Sequence, residues 1–177
     1  MRTLRICLLT STLLAAAWSA AKANPIQGLF ARLHGTDEVP AVLSPGGGAF
    51  RGSLPFVTGV YQYQLHYFRL RGNVTEIDVQ LAQPGANGGV MVVLCSNLPT
   101  APAGTQPCPA TGPATISGQI TASAILGGAA AQGVAAGDLD AFGAAVNAGL
   151  AYVNLRTDLA PDGEVRGQIS TFVISNA

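Results

Sequence analysis

The sequence predicts an all-β fold, an antiparallel Greek-key-like sandwich or barrel of roughly 7–8 strands with one or two short helical insertions. Short runs of alternating apolar and polar residues recur along the chain. Turn-forming residues separate these runs, with 22 glycines and 11 prolines among 177 residues. Apolar residues make up 49% and charged residues 10%, a composition that can bury a core and excludes charge-driven disorder.

Residues 1–23 have the pattern of a secretory signal peptide. Two arginines precede an apolar run from Ile6 to Trp18, and Ala21-Lys22-Ala23 supplies the small residues of a cleavage site. The alternative is a retained membrane anchor, but the run is too short to span a bilayer comfortably. We therefore expect an exported protein, in the periplasm, at the cell surface or outside the cell, with a single mature domain over residues 24–177.

The charge balance limits the partners that we expect. The whole chain has 9 basic and 9 acidic residues, and three of the basic ones lie in the predicted signal peptide. The mature domain would be acidic overall, which gives no electrostatic reason to bind nucleic acid or an anionic membrane. We expect an unknown protein or envelope component as the partner, no nucleic acid, and no membrane span in the mature chain.

Eight segments have the composition and spacing of strands. They are Leu29–His34, Ala49–Phe56, Val60–Leu70, Val74–Leu81, Gly88–Cys95, Thr115–Ile120, Ala151–Thr157 and Val165–Ile174. Thr58-Gly59 is the expected hairpin connection between the second and third. Alternation is strictest in the fourth, where Ile77 and Val79 share a face, and the apolar fifth is typical of a strand buried on both faces. The turn Pro161-Asp162-Gly163 is expected before the last strand.

Ala, Gly and Leu dominate the region from Thr121 to Leu150. Its first residue is expected to cap a brief helix over Ala122–Leu126. Asp138 is a better cap for a second helix, which Gly149 would stop. The glycines between the two helices argue against one continuous helix. The segment Ala124–Ala136 is expected either to pack over an open end of the sandwich or to form a mobile surface loop.

Cys95 and Cys108 are the cysteines of the expected mature chain, separated by a proline-rich loop. In an exported protein this arrangement predicts a disulfide bond. Closing a loop of this size contributes about 3 kcal/mol in the chain-entropy model. The alternatives are two free thiols or a metal site, but no further cysteine or histidine lies at ligand spacing.

The sequence contains no motif of a catalytic class. A Gly-x-Ser-x-Gly elbow, a glycine-rich phosphate loop and a Cys-His nucleophile pattern are all missing from it. His34 and His66 are not at ligand spacing and are interpreted as ordinary strand residues. We therefore expect no catalytic residue, no cofactor and no metal.

Strand parity puts polar side chains on shared faces of three predicted strands. The candidate site is this set: Glu76, Asp78, Gln80, Asn154, Arg156, Glu164 and Arg166. If the strands are neighbours, the groups can form one network, and paired acids in a cleft can perform acid–base chemistry. The alternative is a solvated sheet face with ordinary cross-strand ion pairs.

Four segments carry a family resemblance. They read LHGTDEVP at Leu33–Pro40, GANGGV at Gly85–Val90, GLAYVN at Gly149–Asn154 and GEVRGQI at Gly163–Ile169. In this order they resemble the L-x-G-x-x-E-V-P, G-x-N-G-P-V, G-x-x-Y-V-N and G-E-I-R-G-Q segments of the CHRD domain, a module named from chordin and also found in exported bacterial proteins. The resemblance implies an exported β-rich domain with no established catalytic activity.

The resemblance also shows a departure. Members commonly carry H-I-H before the second segment and V-N-V-H-T near the end, whereas Asp78, Gln80 and Arg156 stand at the three histidine positions here. Imidazole is the usual ligand of zinc, copper or nickel. If other members bind such a metal there, this chain is expected to have lost that ability. A carboxylate–guanidinium pair between Asp78 and Arg156 is expected instead.

These observations favour an exported, non-catalytic binding or structural module of the CHRD type. The alternative is a metal-binding protein on a superoxide-dismutase-like sandwich, holding calcium or a transition metal. Only oxygen ligands remain for such a site, and they suit calcium better. A hydrolase that uses the acids of the candidate site is a third interpretation.

Overall fold

The structure is a computed structural model, and it describes residues 26–55 and 59–174. The predicted signal peptide lies outside the described residues. So does most of the predicted hairpin connection, at residues 56–58.

Nine strands and one α-helix make up most of the described chain. The strands are β1 (Ile26–His34), β2 (Gly47–Pro55), β3 (Tyr61–Phe68), β4 (Val74–Leu81), β5 (Gly89–Ser96), β6 (Ala114–Ile120), β7 (Ala151–Thr157), β8 (Ala160–Gln168) and β9 (Ser170–Ile174). The helix α1 spans Leu139–Asn147, and 3-10 turns occur at Gly35–Asp37, Ala122–Ala124 and Gly127–Gln132.

The strands pair antiparallel in one sheet, in the order β5-β4-β7-β8-β1-β2-β3-β6. The last strand predicted from the sequence is divided at Ile169, because β8 lies between β7 and the end of β1, whereas β9 pairs with residues 26–30 of β1. The sheet curves until its edge strands β5 and β6 face each other, which makes a nearly closed barrel. The all-β antiparallel class predicted from the sequence is confirmed.

The core follows from strand alternation. Along β3, Tyr61, Tyr63, Leu65 and Tyr67 are buried and the residues between them are exposed. On β4, Ile77 and Val79 are also fully buried. One face of each strand thus fills the barrel, and the opposite faces are left for other roles.

The line where β5 and β6 face each other is closed by the loop between them. The predicted disulfide between Cys95 and Cys108 is present and ties this loop to the end of β5. Gln106 in the loop donates from Nε2 to the carbonyl of Leu94 on β5 at 3.0 Å and to that of Ser117 on β6 at 3.3 Å. A side chain therefore joins the two edges where no backbone ladder does.

The second predicted helix is confirmed, with Asp138 Oδ1 accepting from the backbone N–H of Ala141 at 2.8 Å. Gly149 ends it with a left-handed φ of 69°, which glycine adopts at little cost. The first predicted helix is only a 3-10 turn, in which the Thr121 side chain makes no capping bond. Its hydroxyl lies instead 2.9 Å from that of Ser123.

The segment Ala124–Ala136 packs against the sheet. Ile125, Ala129 and Val134 are buried, and the N–H of Leu126 donates to the carbonyl of Met91 on β5 at 2.7 Å. The segment is thus held along the edge strand β5.

The predicted turn at Pro161-Asp162-Gly163 is wrong. The chain reverses at residues 158–159, and β8 has already begun at Ala160. The carboxylate of Asp158 accepts from the backbone and side-chain N–H groups of Asn73, both at 2.8 Å. These long-range bonds favour the earlier reversal over the local turn signal. Among the described residues, no helix is long and apolar enough to cross a membrane.

Candidate functional site

The candidate site lies on the outer surface of β4, β7 and β8, which are neighbours in the sheet. We call the outward residues of these strands the polar face. The register sets its residues opposite each other: Glu76 with Arg156, Asp78 with Asn154, Gln80 with Tyr152, and Asn154 with Arg166. Because β4 and β8 flank β7, the polar residues predicted from parity do share one surface.

The polar face is buried. Asp78 is 0% exposed, and Asn154 and Arg166 are almost equally enclosed. The loop after β1 and the loop after β4 cover it, joined by a 2.9 Å hydrogen bond from Asn87 Nδ2 to the carbonyl of Val39. The solvated sheet face considered above is therefore not what forms.

Arg156 joins two acids on β4. Its Nη1 lies 3.0 Å from Glu76 Oε1 and its Nη2 lies 3.1 Å from Asp78 Oδ2. The pair expected between Asp78 and Arg156 is present. The other oxygen of Glu76 accepts from the hydroxyl of Ser96 at 2.9 Å, which extends the network to β5.

The network continues along β4 to β7. Gln80 Nε2 donates to Asp78 Oδ1 at 2.8 Å, and Gln80 Oε1 accepts from the hydroxyl of Tyr152. That tyrosine oxygen in turn accepts from the N–H of Gly88 at 3.3 Å. Asp78 is therefore contacted by Gln80 on one side and by Arg156 on the other.

Arg166 does not pair with a carboxylate. Its guanidinium stacks 3.6 Å from the ring centroid of Tyr152. It donates to Asn87 Oδ1 at 3.0 Å and to the carbonyl of Ala86 at 2.9 Å, so it holds the loop after β4 against the sheet. Arg166 therefore contacts the network through Tyr152, while the covering loop supplies its hydrogen-bond acceptors.

Glu164 also stands apart from the network. Its carboxylate accepts four hydrogen bonds: from Ser44 Oγ at 2.6 Å, Thr157 Oγ1 at 2.8 Å, Arg71 N at 2.7 Å and Gly72 N at 3.2 Å. Burial alone would raise the pKa of Glu164, but these donors outweigh it and lower that pKa. Its inclusion in the predicted network is wrong, since Glu164 anchors two loops instead.

Glu38 is a site residue that the prediction missed. It reaches over the polar face from the loop after β1, and it is 7% exposed. Its Oε1 and Asn154 Oδ1 make no hydrogen bond among the described residues. A Cβ on Gly163 would lie 2.5 Å from each of these oxygens, so both point at the same spot. The signal that could have found Glu38 is its place in the LHGTDEVP segment.

Burial changes the protonation of two acids here. Desolvation raises the pKa of Glu38 to about 7, against the attraction of Arg166. It raises the pKa of Asp78 to about 7 as well, although Arg156 and Gln80 favour the carboxylate. The negative charge of Asp78 also contributes to the raised pKa of Glu38.

The family is decided by comparison with known domains. The sequence pattern of the CHRD domain family matches residues 29–169. The chain belongs to the CHRD domain family. No curated protein and no solved structure matches it significantly.

The four segments that carried the CHRD resemblance meet on the polar face. Each contributes a residue described above: Glu38 from the first, Asn87 from the second, Asn154 from the third and Arg166 from the fourth. The signature of this CHRD domain is therefore the set of contacts by which two loops are held against β7 and β8.

Proposed function

We propose that this CHRD domain is an exported, non-catalytic binding or structural module. The observation that carries the proposal is the use of the polar face for internal contacts. Arg156 holds Glu76 and Asp78 together, while Arg166 and Glu164 fasten the covering loops. Charged groups that are enclosed and paired in this way serve rigidity rather than attack on a substrate.

The three family histidine positions support the same interpretation. Gln80 and Arg156 both contact Asp78, so the side chains at the three positions are linked through position 78. We infer that in this chain the guanidinium of Arg156 crosslinks β4 and β7 in place of a metal ion. A bridging arginine joins β4 to β7 without a bound metal.

Export is supported by the disulfide, since such bonds persist in oxidising compartments. The CHRD family is compatible with the same location. The experiment that tests the module is capture of envelope components by the exported protein, beside a double variant with Asp78→Asn and Arg156→Gln. We expect both proteins, when folded, to retain the same ligand. A substrate-converting activity of the wild type that disappears in a folded double variant would contradict a non-catalytic role.

A calcium site is the second candidate. The observation that favours it is the pair of enclosed oxygens, Glu38 Oε1 and Asn154 Oδ1, which point at one spot beside Gly163. Oxygen donors of this type suit calcium. The guanidinium groups of Arg156 and Arg166 oppose a cation there, which is why we rank this function second.

Calorimetric titration of the exported protein with Ca²⁺, Zn²⁺ and Cu²⁺ separates the two candidates. We expect no stoichiometric binding of any of them. Stoichiometric calcium binding that Asn154→Ala and Glu38→Gln each abolish would establish the second candidate. Arg69→Gln, at an exposed arginine outside the polar face, is the matched control.

A further inference from the structure

The second sheet surface of the domain is open to solvent and lacks acidic residues. It is formed by the outward side chains of β1, β2, β3 and β6, and we call it the arginine face. Its members are Phe30, Arg32, His34, Ala49, Arg51, Ser53, Gln62, Gln64, His66, Phe68, Thr115, Ser117 and Gln119. Arg32 and Arg51 are exposed, as are the three polar residues of β3 and those of β6.

Charge is segregated between the two surfaces of the domain. All nine acidic residues lie in the described part of the chain, and none of them is on β1, β2, β3 or β6. The described part has only six basic residues, so the domain as a whole is acidic. Neither Arg32 nor Arg51 forms a salt bridge with any described residue. The arginine face is thus a locally positive surface on a negative domain.

Rows of neutral hydrogen-bonding groups lie on the β3 and β6 side of the two arginines, whereas Phe30 is opposite Arg51 and its ring centroid is 5.9 Å from the Arg32 guanidinium. Across the strands, Arg51 is opposite Gln64, which is opposite Ser117, and the next row holds Ser53, Gln62 and Gln119. Arg32 is opposite Ala49, which makes it a diagonal neighbour of Arg51, with Cβ atoms about 7–8 Å apart. Four strands give the surface a width of about 14 Å between its outer strands.

The arginine face ends in a polar cleft at its β6 edge. The cleft has a volume of about 370 Å³, and its lining includes Gln106, Ser117, Gln119 and Ser123. Amides and hydroxyls therefore continue from the flat sheet into a concave site. This combination offers donors and acceptors to hydroxyl groups and positive charge to carboxylates.

We propose that the arginine face binds an acidic polysaccharide rich in uronic acids. Its carboxylates pair with Arg32 and Arg51, its hydroxyls bond the glutamine and serine rows, and a sugar ring enters the cleft beside Gln119. The inference rests on the proposed role as a binding module and gives that role a surface and a ligand class.

The make-up of the arginine face favours this polymer over other anions. Protein interfaces are centred on apolar and aromatic anchors, whereas this surface has only Phe30 and Phe68 of that kind and is otherwise mostly amides, hydroxyls and the two arginines. Duplex nucleic acid is held through many phosphate contacts, and two arginines supply few. A polymer with both hydroxyls and carboxylates can bond the amides and hydroxyls of this surface and pair with its two arginines.

The test is binding of polygalacturonate to the exported protein at low ionic strength, measured by calorimetry. Three variants accompany the wild type: Arg32→Glu with Arg51→Glu, Gln62→Ala with Gln64→Ala, and Arg69→Glu as a charge-matched control. We expect the first to weaken binding at least about tenfold and the second several-fold, with the control within about twofold. Added salt should weaken wild-type binding.

Four outcomes would overturn the inference. The first three are equal affinity for neutral dextran, equal affinity for polyglutamate, which would mean attraction of charge alone, and equal weakening by Arg69→Glu. The fourth is lack of polygalacturonate binding by the wild type. If the protein then still captures another envelope component through a different surface, this inference fails and the proposed binding role stands.

Discussion

At the scale of single residues, the polar face depends on Arg156. Its guanidinium is the only one among the described residues that forms salt bridges, and it forms two, with Glu76 and Asp78. Asp78 is 0% exposed, so its charge has almost no help from solvent. Strand parity predicted this pair, because apolar residues on alternate positions of both strands leave the carboxyl and the guanidinium on one side.

The protonation of Glu38 and Asp78 predicts how stability depends on pH. Both pKa values rise to about 7 in the folded state, from 4.5 and 3.8. The folded protein therefore binds protons more tightly than the unfolded chain, and the stabilisation is lost as the pH rises through 7. Glu164 acts oppositely, since its lowered pKa gives stability that is lost under acid. We expect the free energy of unfolding to fall by roughly 1–3 kcal/mol between pH 5 and pH 8.

Urea unfolding at both pH values measures this dependence. In Glu38→Gln the fall should be smaller, because one of the two titrating groups is gone. The exposed control Asp140→Asn should leave the fall unchanged. A wild-type protein that becomes more stable from pH 5 to pH 8 would rule out the account of the two acids.

At the scale of elements, the strand bounds that were predicted correctly are those that the local sequence pattern determines. The bounds of β4 and β7 were predicted to the residue, since both alternate clearly between turn signals. Two features could not be predicted, the early reversal at residues 158–159 and the division of the last strand at Ile169. Each depends on a partner that is distant in sequence. Glu38 was missed for the same reason, since only the folded loop carries it over the polar face.

The disulfide loop is the element whose removal should matter most. Cys95 and Cys108 are separated by 13 positions, and the loop between them carries Gln106 across the open line of the barrel. We expect Cys95→Ser to lower the free energy of unfolding by about 2–4 kcal/mol. Under unfolding but non-reducing conditions, thiol labelling of the exported wild type should find no free thiol. Two reactive thiols per chain would contradict the bond.

At the scale of the whole molecule, the composition gave the net charge of the domain but not the positions of its charged residues. The acidic balance of the mature chain gave no reason to expect an anionic partner. The fold places the acids on one sheet surface, its loops and the helix, while Arg32 and Arg51 stand on the other surface. Which residues cover a sheet, and which charges remain exposed, depends on the curvature of the complete barrel. The all-β class needed only alternation and turns, and so it was predictable.

Export is a prediction for the whole chain. The basic start, the apolar run and Ala21-Lys22-Ala23 occur together, so processing should leave a protein that begins close to Asn24. Intact-mass analysis of protein collected outside the cytoplasm measures this directly. A mature species that still contains Trp18 would show that the segment is retained.

The central claim is that the buried ion pair stabilises the folded domain. A double-mutant cycle with Asp78→Asn, Arg156→Gln and both together, unfolded by urea at pH 8 where Asp78 is ionised, tests it most directly. We predict that Arg156→Gln loses about 3 kcal/mol, because it leaves the ionised Asp78 buried without its partner, and that Asp78→Asn loses less, because burial disfavours the charged carboxyl. The double variant should lose about 2 kcal/mol less than the sum of the two. Losses that add, with a coupling below about 0.5 kcal/mol, would contradict the claim.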